Sequence, residues 1–256
     1  MLLKYDDNFW YSPDDSKSRV FLLCSNVYHD NRGIFTEFMN AKLSPQHWVF
    51  DLSWVKQMNI SYSKPNVVRG CHAQAGRACQ GKLVTALTRP IFDIITDARP
   101  DSKTFKMTKV YYLNPAVQNK LWVPRGFLHA FMVCPENSAH WEFQDSDCAV
   151  FEYMCDNTYA KSREVGVNPM SIVPDAFNRY CDEHGNCGYG GRMTPEIIKS
   201  IGTSDKDMSL PTANFFFKQM EEAYLSYGLL WYKDSADDEP QPTNDEQNGK
   251  PTTDNG

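Results

Sequence analysis

Between about residues 20 and 165 the chain is a succession of short β-branched and aromatic runs closed by Gly, Pro, Asn or Asp, with no helical periodicity between them. The runs fall at 20–27, 48–51, 53–61, 91–98, 109–113, 121–123 and 148–155. A further pair, with Val67 and Val68 in one member and Leu83, Val84 and Leu87 in the other, reads as a central hairpin joined through 76–80. Many strands at roughly 8–12 residue spacing point to a barrel or jelly roll and argue against an α/β sheet.

Three ionisable residues interrupt that pattern. Arg69 and His72 in VVRGCHAQ (67–74) and Lys82 in GKLVTAL (81–87) sit inside strand-like sequence. Placing a guanidinium, an imidazole and an ammonium on adjacent sheet positions costs desolvation unless an anion fills the space between them. An anionic substrate in a barrel mouth is the economical reading. Strict alternation would put Arg69 and His72 on opposite faces, so either a bulge at Gly70 or an arginine that reaches round is required. In SWVKQMNIS (53–61) alternation groups Val55, Gln57 and Asn59 on one face, where two amides in line suit an interior site or solvent. Arg32 stands at the tip of a turn made by Asp30, Asn31 and Gly33. It and Glu37 are candidates for a polar pocket, against the alternative of ordinary surface.

Beyond residue 165 the pattern changes. CDEHGNC (181–187) spaces Cys181, His184 and Cys187 three apart, but a structural zinc site needs a fourth ligand, and the GYGG that follows favours a loop. Residues 194–201 suit a short helix. Phe216, Met220, Ala223, Tyr227 and Leu230 recur with a 3.6-residue period, which predicts an amphipathic helix over 213–230 that Gly228 can end early. From Asp234 onward seven acids stand against Lys250, which accounts for the whole formal charge of −6. This tail is expected to be disordered. The neutral remainder has no basic stripe for nucleic acid and no run near the ~18 apolar residues of a membrane span. Acids in the opening MLLKYDDNFW and cysteines without a framework fit a soluble cytoplasmic protein. The expected organisation is a β-barrel over 1–165, a variable loop segment with helices packed on the barrel over 166–233, and the acidic tail over 234–256.

Several motifs recur in fixed order: HDNRGIFTE (29–37), VKQMNISYSKPNVVRGCHAQ (55–74), QGKLV (80–84), FDIITDARPDSKTF (92–105), LWVPRGFLHAF (121–131) and SDKDMSLP (204–211). Together they resemble the dTDP-4-dehydrorhamnose 3,5-epimerase family across roughly half the chain. The resemblance implies a mainly β, cupin-type jelly-roll barrel with a C-terminal helical region, acting without a cofactor as a homodimer on a nucleotide-diphosphate sugar. Departures occur at Cys71, Ala73, Leu128 and Ala130, beside the two histidines where a base or sugar could be contacted, and at Arg125, where the family usually has an acid.

The matched positions imply roles that elementary chemistry supports. His72 would be the general base, since an imidazole with an ordinary pKa of about 6.5 can take a carbon-bound proton acidified by a neighbouring ketone. Asp207 would fix its tautomer. Tyr153 would be the acid on the opposite face of the sugar. Lys82 and His129 would stabilise the enolate oxygen. Arg69 would bind the diphosphate, with Gln57 and Asn59 orienting sugar or base and Arg32 and Glu37 reaching in from the neighbouring subunit. The segment P-x-G-x-x-H ending at His129 fits a metallocupin motif, but its paired-histidine partner is missing, so no metal is expected. The expected reaction converts dTDP-4-dehydro-6-deoxy-D-glucose into dTDP-4-dehydro-L-rhamnose. The alternatives are an epimerase for another nucleotide sugar acting at one centre, a 3,4-ketoisomerase, or a sugar-binding cupin without catalysis.

Overall fold

A computed structural model of the chain describes residues 1–40, 47–134, 149–185 and 191–233, with the side chains of 149–153 outside that description. The strands are β1 (Leu2–Tyr5), β2 (Phe21–Cys24), β3 (Val27–Asp30), β4 (Gly33–Thr36), β5 (Gln57–Ser63), β6 (Val68–Gln74), β7 (Lys82–Ala86), β8 (Ile91–Asp97), β9 (Thr108–Leu113), β10 (Asn119–Val123), β11 (Phe127–Val133), β12 (Ala149–Cys155) and β13 (Glu164–Gly166). The helices are α1 (Val173–His184), α2 (Pro195–Ser200), α3 (Asp205–Met208) and α4 (Ala213–Tyr227). A six-stranded antiparallel sheet runs β1-β2-β10-β7-β12-β5, and a five-stranded one runs β13-β6-β11-β8-β9. β3 and β4 form a separate two-stranded hairpin. The architecture is therefore a mixed β/α fold of antiparallel sheets with a C-terminal helical region.

Three apolar layers hold it together. Val84, Ala86, Leu121 and Val123 of the larger sheet meet Ile91, Ile95, Phe127 and Phe131 of the smaller one in a single cluster between them. The outer face of the smaller sheet, with Val68, Phe92, Ile94, Leu128 and Met132, is covered by Phe177 of α1 and by Phe216 and Phe217 of α4. On the outside of the larger sheet, Phe21, Leu83 and Trp122 pack with Val49, Phe50 and Trp54. Because both faces of the smaller sheet are covered, β11 is buried along its whole length. Its sequence FLHAFMV accordingly lacks the polar alternation of a half-exposed strand.

Several expectations from sequence are met and several are corrected. α4 ends at Gly228, which adopts φ +64° as its C-cap, and α2 is capped by Thr194, whose side chain accepts from Ile197 N–H. Residues 48–51 and the start of 53–61 are not strands. They form two 3-10 turns, Trp48–Phe50 and Leu52–Trp54, capped by the His47 and Asp51 side chains. Local side chain to backbone bonding has overridden β propensity there. The run at 20–27 is split into β2 and β3. β6 and β7 are not a hairpin but belong to different sheets, so their connection crosses from one sheet to the other. The first four residues of CDEHGNC close α1 rather than forming a loop, with Cys181 buried against the sheet. Cys187 and the acidic tail lie outside the described residues. Among the described residues no helix is long and apolar enough to cross a membrane.

Phe177 is fully buried, edge-on to Phe92 with ring centroids 5.0 Å apart. Phe177→Ala should lower unfolding free energy by about 3–5 kcal/mol, measured by urea denaturation.

Candidate active site

A cleft of 760 Å³ is lined by Asn59, Arg69, His72, Lys82, His129 and Asp207, among others. Sheet geometry explains why these six converge. His129 on β11 lies directly opposite His72 on β6, yet Phe131 lies opposite Arg69, so β6 carries one extra residue between the two pairs. This is the bulge, and Gly70 lies within it at φ +108°. A Cβ on Gly70 would come within 2.4 Å of the His129 carbonyl oxygen and 2.7 Å of Ala130 Cα. With no side chain there, Arg69 and His72 both open onto the cleft. Lys82 joins them from the other sheet.

His72 Nε2 lies 2.7 Å from Asp207 Oδ1. An ionised carboxylate only accepts, so the proton sits on Nε2 and Nδ1 carries the basic lone pair. Asp207 is buried in the short helix α3, whose N-cap Ser204 accepts from Asp207 N–H at 3.1 Å. Glu164 Oε1 approaches His72 Nδ1 at 3.9 Å and is itself held by Lys206 and by the Tyr159 hydroxyl. Burial lowers the His72 pKa below its ordinary value, against the opposing pull of Asp207 and Glu164. The imidazole is thereby neutral, and basic, at neutral pH.

A second imidazole–carboxylate pair lies beside the first. His129 Nε2 is 2.8 Å from Oδ2 of Asp93, which is wholly buried and whose other oxygen has no hydrogen-bond partner among the described residues. Lys82 has its pKa lowered by burial, with Cys155 and Asp93 opposing the shift. Gln57 donates to Asn59 Oδ1 at 2.9 Å and accepts from Tyr159 N–H at 2.7 Å. Both amides also line an adjoining 300 Å³ recess shared with His72, Lys82 and Glu164. The guanidinium of Arg69 donates to Ser63 Oγ at 2.8 Å and to the Tyr62 carbonyl at 3.3 Å.

The match to known proteins follows this geometry. The family model for dTDP-4-dehydrorhamnose 3,5-epimerase matches residues 18–212. The chain belongs to that family. It is 34% identical over 148 residues to the Escherichia coli K12 dTDP-4-dehydrorhamnose 3,5-epimerase, covering 58% of this chain and 74% of the relative. A crystal structure of the Bacillus anthracis enzyme with TDP and PPi bound aligns at TM-score 0.57 and 26% identity over 82% of this chain and 99% of that one. The Mycobacterium tuberculosis epimerase aligns at TM-score 0.60 and 21% identity, covering 90% and 93%, which speaks to the fold alone.

Among the expected site residues of this epimerase-family chain, the cleft and its recess bring together His72, Asp207, Lys82, His129, Arg69, Gln57 and Asn59. Tyr153 occupies the β12 register position opposite Asn59 and Val84, and its side chain lies outside the described residues. Arg32 and Glu37 do not join the cleft within one chain. Arg32 is exposed and paired with Asp30, and Glu37 accepts from Asn40. Nor do Cys71, Leu128 and Ala130 alter the cleft, as their positions beside the histidines suggested. Alternation turns them into the helix-covered layer, and of the four departures only Ala73 also reaches the smaller recess. Arg125 is spent on Asp156. Sequence reasoning missed Asp93, Tyr159, Glu164 and Lys206. Asp93 carried a usable signal, an acid inside the apolar run FDIIT, and Lys206 adjoins Asp207 in a recognised motif. Glu164 had none.

A base that must be neutral to act loses activity as pH falls through its pKa, so kcat/KM should decline on an acid limb below pH 6.5. Asp207→Asn should cost about 100-fold or more in kcat/KM and move that limb lower still, because an anion that raises the imidazole pKa is gone. Gly70→Ala should yield little folded protein, read by circular dichroism and expression of soluble chain.

Proposed function

We propose that this chain is a cofactor-independent epimerase that converts dTDP-4-dehydro-6-deoxy-D-glucose into dTDP-4-dehydro-L-rhamnose by inversion at C3 and C5. The observation that carries the reading is the His72–Asp207 pair lining one cleft together with Lys82 and His129, in a chain of the epimerase family. In this reading neutral His72 removes the proton next to the C4 ketone, and Asp207 supports the imidazolium that results. Lys82 and His129 face the C4 oxygen and stabilise the enolate. The buried Asp93 carboxylate holds the His129 ring in one orientation. Tyr153 returns a proton from the opposite face, since inversion cannot be completed by one group on one side. The base then serves the second carbon after the ring turns in the pocket.

Arg69 is assigned to the diphosphate, and Gln57 and Asn59 to the sugar or base. TDP and PPi in the Bacillus anthracis structure support an anionic nucleotide here. The functional unit is proposed to be a cytoplasmic homodimer in which Arg32 and Glu37 of the partner subunit complete each pocket. Met58, Ile60 and Tyr62 present an exposed apolar row on the edge strand β5, and Tyr28 and Phe35 an exposed cross-strand pair on the β3–β4 hairpin. Apolar surface of this kind favours a second copy as occupant. The two large sheets are read as a closed jelly roll over 1–165, with 166–233 packed upon it and 234–256 as an acidic tail.

The test is incubation with the dTDP substrate in deuterium oxide, following C3 and C5 by NMR. Deuterium should enter both centres, and His72→Asn should abolish entry at both. Exchange at one centre only would indicate a single-centre epimerase. A ketone moved to C3 would indicate a 3,4-ketoisomerase, and binding without exchange a sugar-binding cupin.

A further inference from the structure

Among the described residues the β3–β4 hairpin pairs with no strand of either main sheet, so the segment carrying Arg32 hangs from its two roots, Ser25–Asn26 on one side and Glu37–Phe38 on the other. Beneath those roots lies Lys120 of β10, wholly buried. Its ammonium donates to Ser25 Oγ at 2.8 Å and to the Gln118 carbonyl at 3.3 Å, and it stands 4.3 Å over the Phe38 ring. Ser25 N–H donates to the same Gln118 carbonyl at 3.3 Å, and Thr36 Oγ1 ties the hairpin's end back to the Asn26 carbonyl at 2.9 Å. No carboxylate accompanies Lys120 among the described residues. A buried cation with only neutral partners costs free energy that a methionine of similar length would not. What the ammonium supplies in return is a junction: one donor group that ties both roots of the hairpin to the sheet.

We propose that Lys120 is a positioning residue that clamps the roots of the 27–36 hairpin and so sets where Arg32 and Glu37 stand in the substrate pocket. The proposal rests on the reading above that this hairpin completes a pocket. Burial pushes the Lys120 pKa down to about 8. The groups that face it are Cys24 and Ser25 at the end of β2, Gln118 before β10 and Phe38 after β4; of these the thiol alone titrates. Below about pH 8 the clamp is charged. Above it, the amine keeps a hydrogen bond to Ser25 but loses its attraction to the ring and the strength of a charged donor.

The experiment measures KM and kcat for the dTDP sugar in the parent, Lys120→Met, Ser25→Ala and Arg32→Ala proteins at several pH values on either side of 8. The parent should show KM rising as pH passes 8. Lys120→Met should raise KM about tenfold with kcat within about twofold, and its KM should no longer change across that range. Ser25→Ala should move KM in the same direction by less. Arg32→Ala raising KM while Lys120→Met leaves both KM and its pH profile parental would overturn the clamp and keep the arm. Should Lys120→Met fail to fold, a flat parental KM across pH 8 together with an unaffected Ser25→Ala overturns it equally. If Arg32→Ala leaves KM unchanged, the arm itself is not part of the pocket, and the role of Lys120 falls with it.

Discussion

The arrangement of the site depends on one close approach. The β6 backbone at Gly70 lies against the β11 backbone at His129 and Ala130 more tightly than any side chain allows. That approach adds a residue to β6 and breaks the two-residue alternation there. Without it, Arg69 and His72 would point to opposite sides, one into the cleft and the other into the layer beneath the helices. Burying either charge in that apolar layer without a partner would cost more than the fold could spare.

Covering both faces of the smaller sheet has an electrostatic consequence. The inner end of that sheet holds two imidazole–carboxylate pairs of differing exposure. His72 keeps a quarter of its side chain open to the cleft and is tied to Asp207, whereas His129 is almost enclosed and tied to a fully buried Asp93. The same residue type can therefore serve two purposes a few ångströms apart. In the proposed reaction the more open ring is the one that exchanges protons, and the enclosed one keeps a fixed orientation.

Much of this was legible in the sequence. Strand runs bounded by turn residues located most of the sheet, and charged residues inside apolar runs located Arg69, His72 and Lys82. What was not legible is tertiary. No local pattern tells that the 76–80 connection crosses between sheets, which is why Lys82 faces His72 across the interior rather than beside it. The 3-10 turns at 48–54 escaped because His47 and Asp51 bond their own backbone, a competition that propensity does not register. Glu164 escaped because its meaning lies in three neighbours, His72, Tyr159 and Lys206, of which only Tyr159 is close in sequence. Cys71, Leu128 and Ala130 adjoin the histidines in sequence but turn into the helix-covered layer. In a strand, adjacency means the opposite face.

Asp207 does not come from the sheets at all. It stands 135 residues beyond the histidine it orients, on a one-turn helix in the segment that follows the last strand. A loop of that length closes late, after local and hairpin contacts have formed. In the order of synthesis every strand of both sheets precedes that carboxylate. In the proposed reaction the carboxylate that supports the base is therefore the last part of the cleft lining to be synthesised.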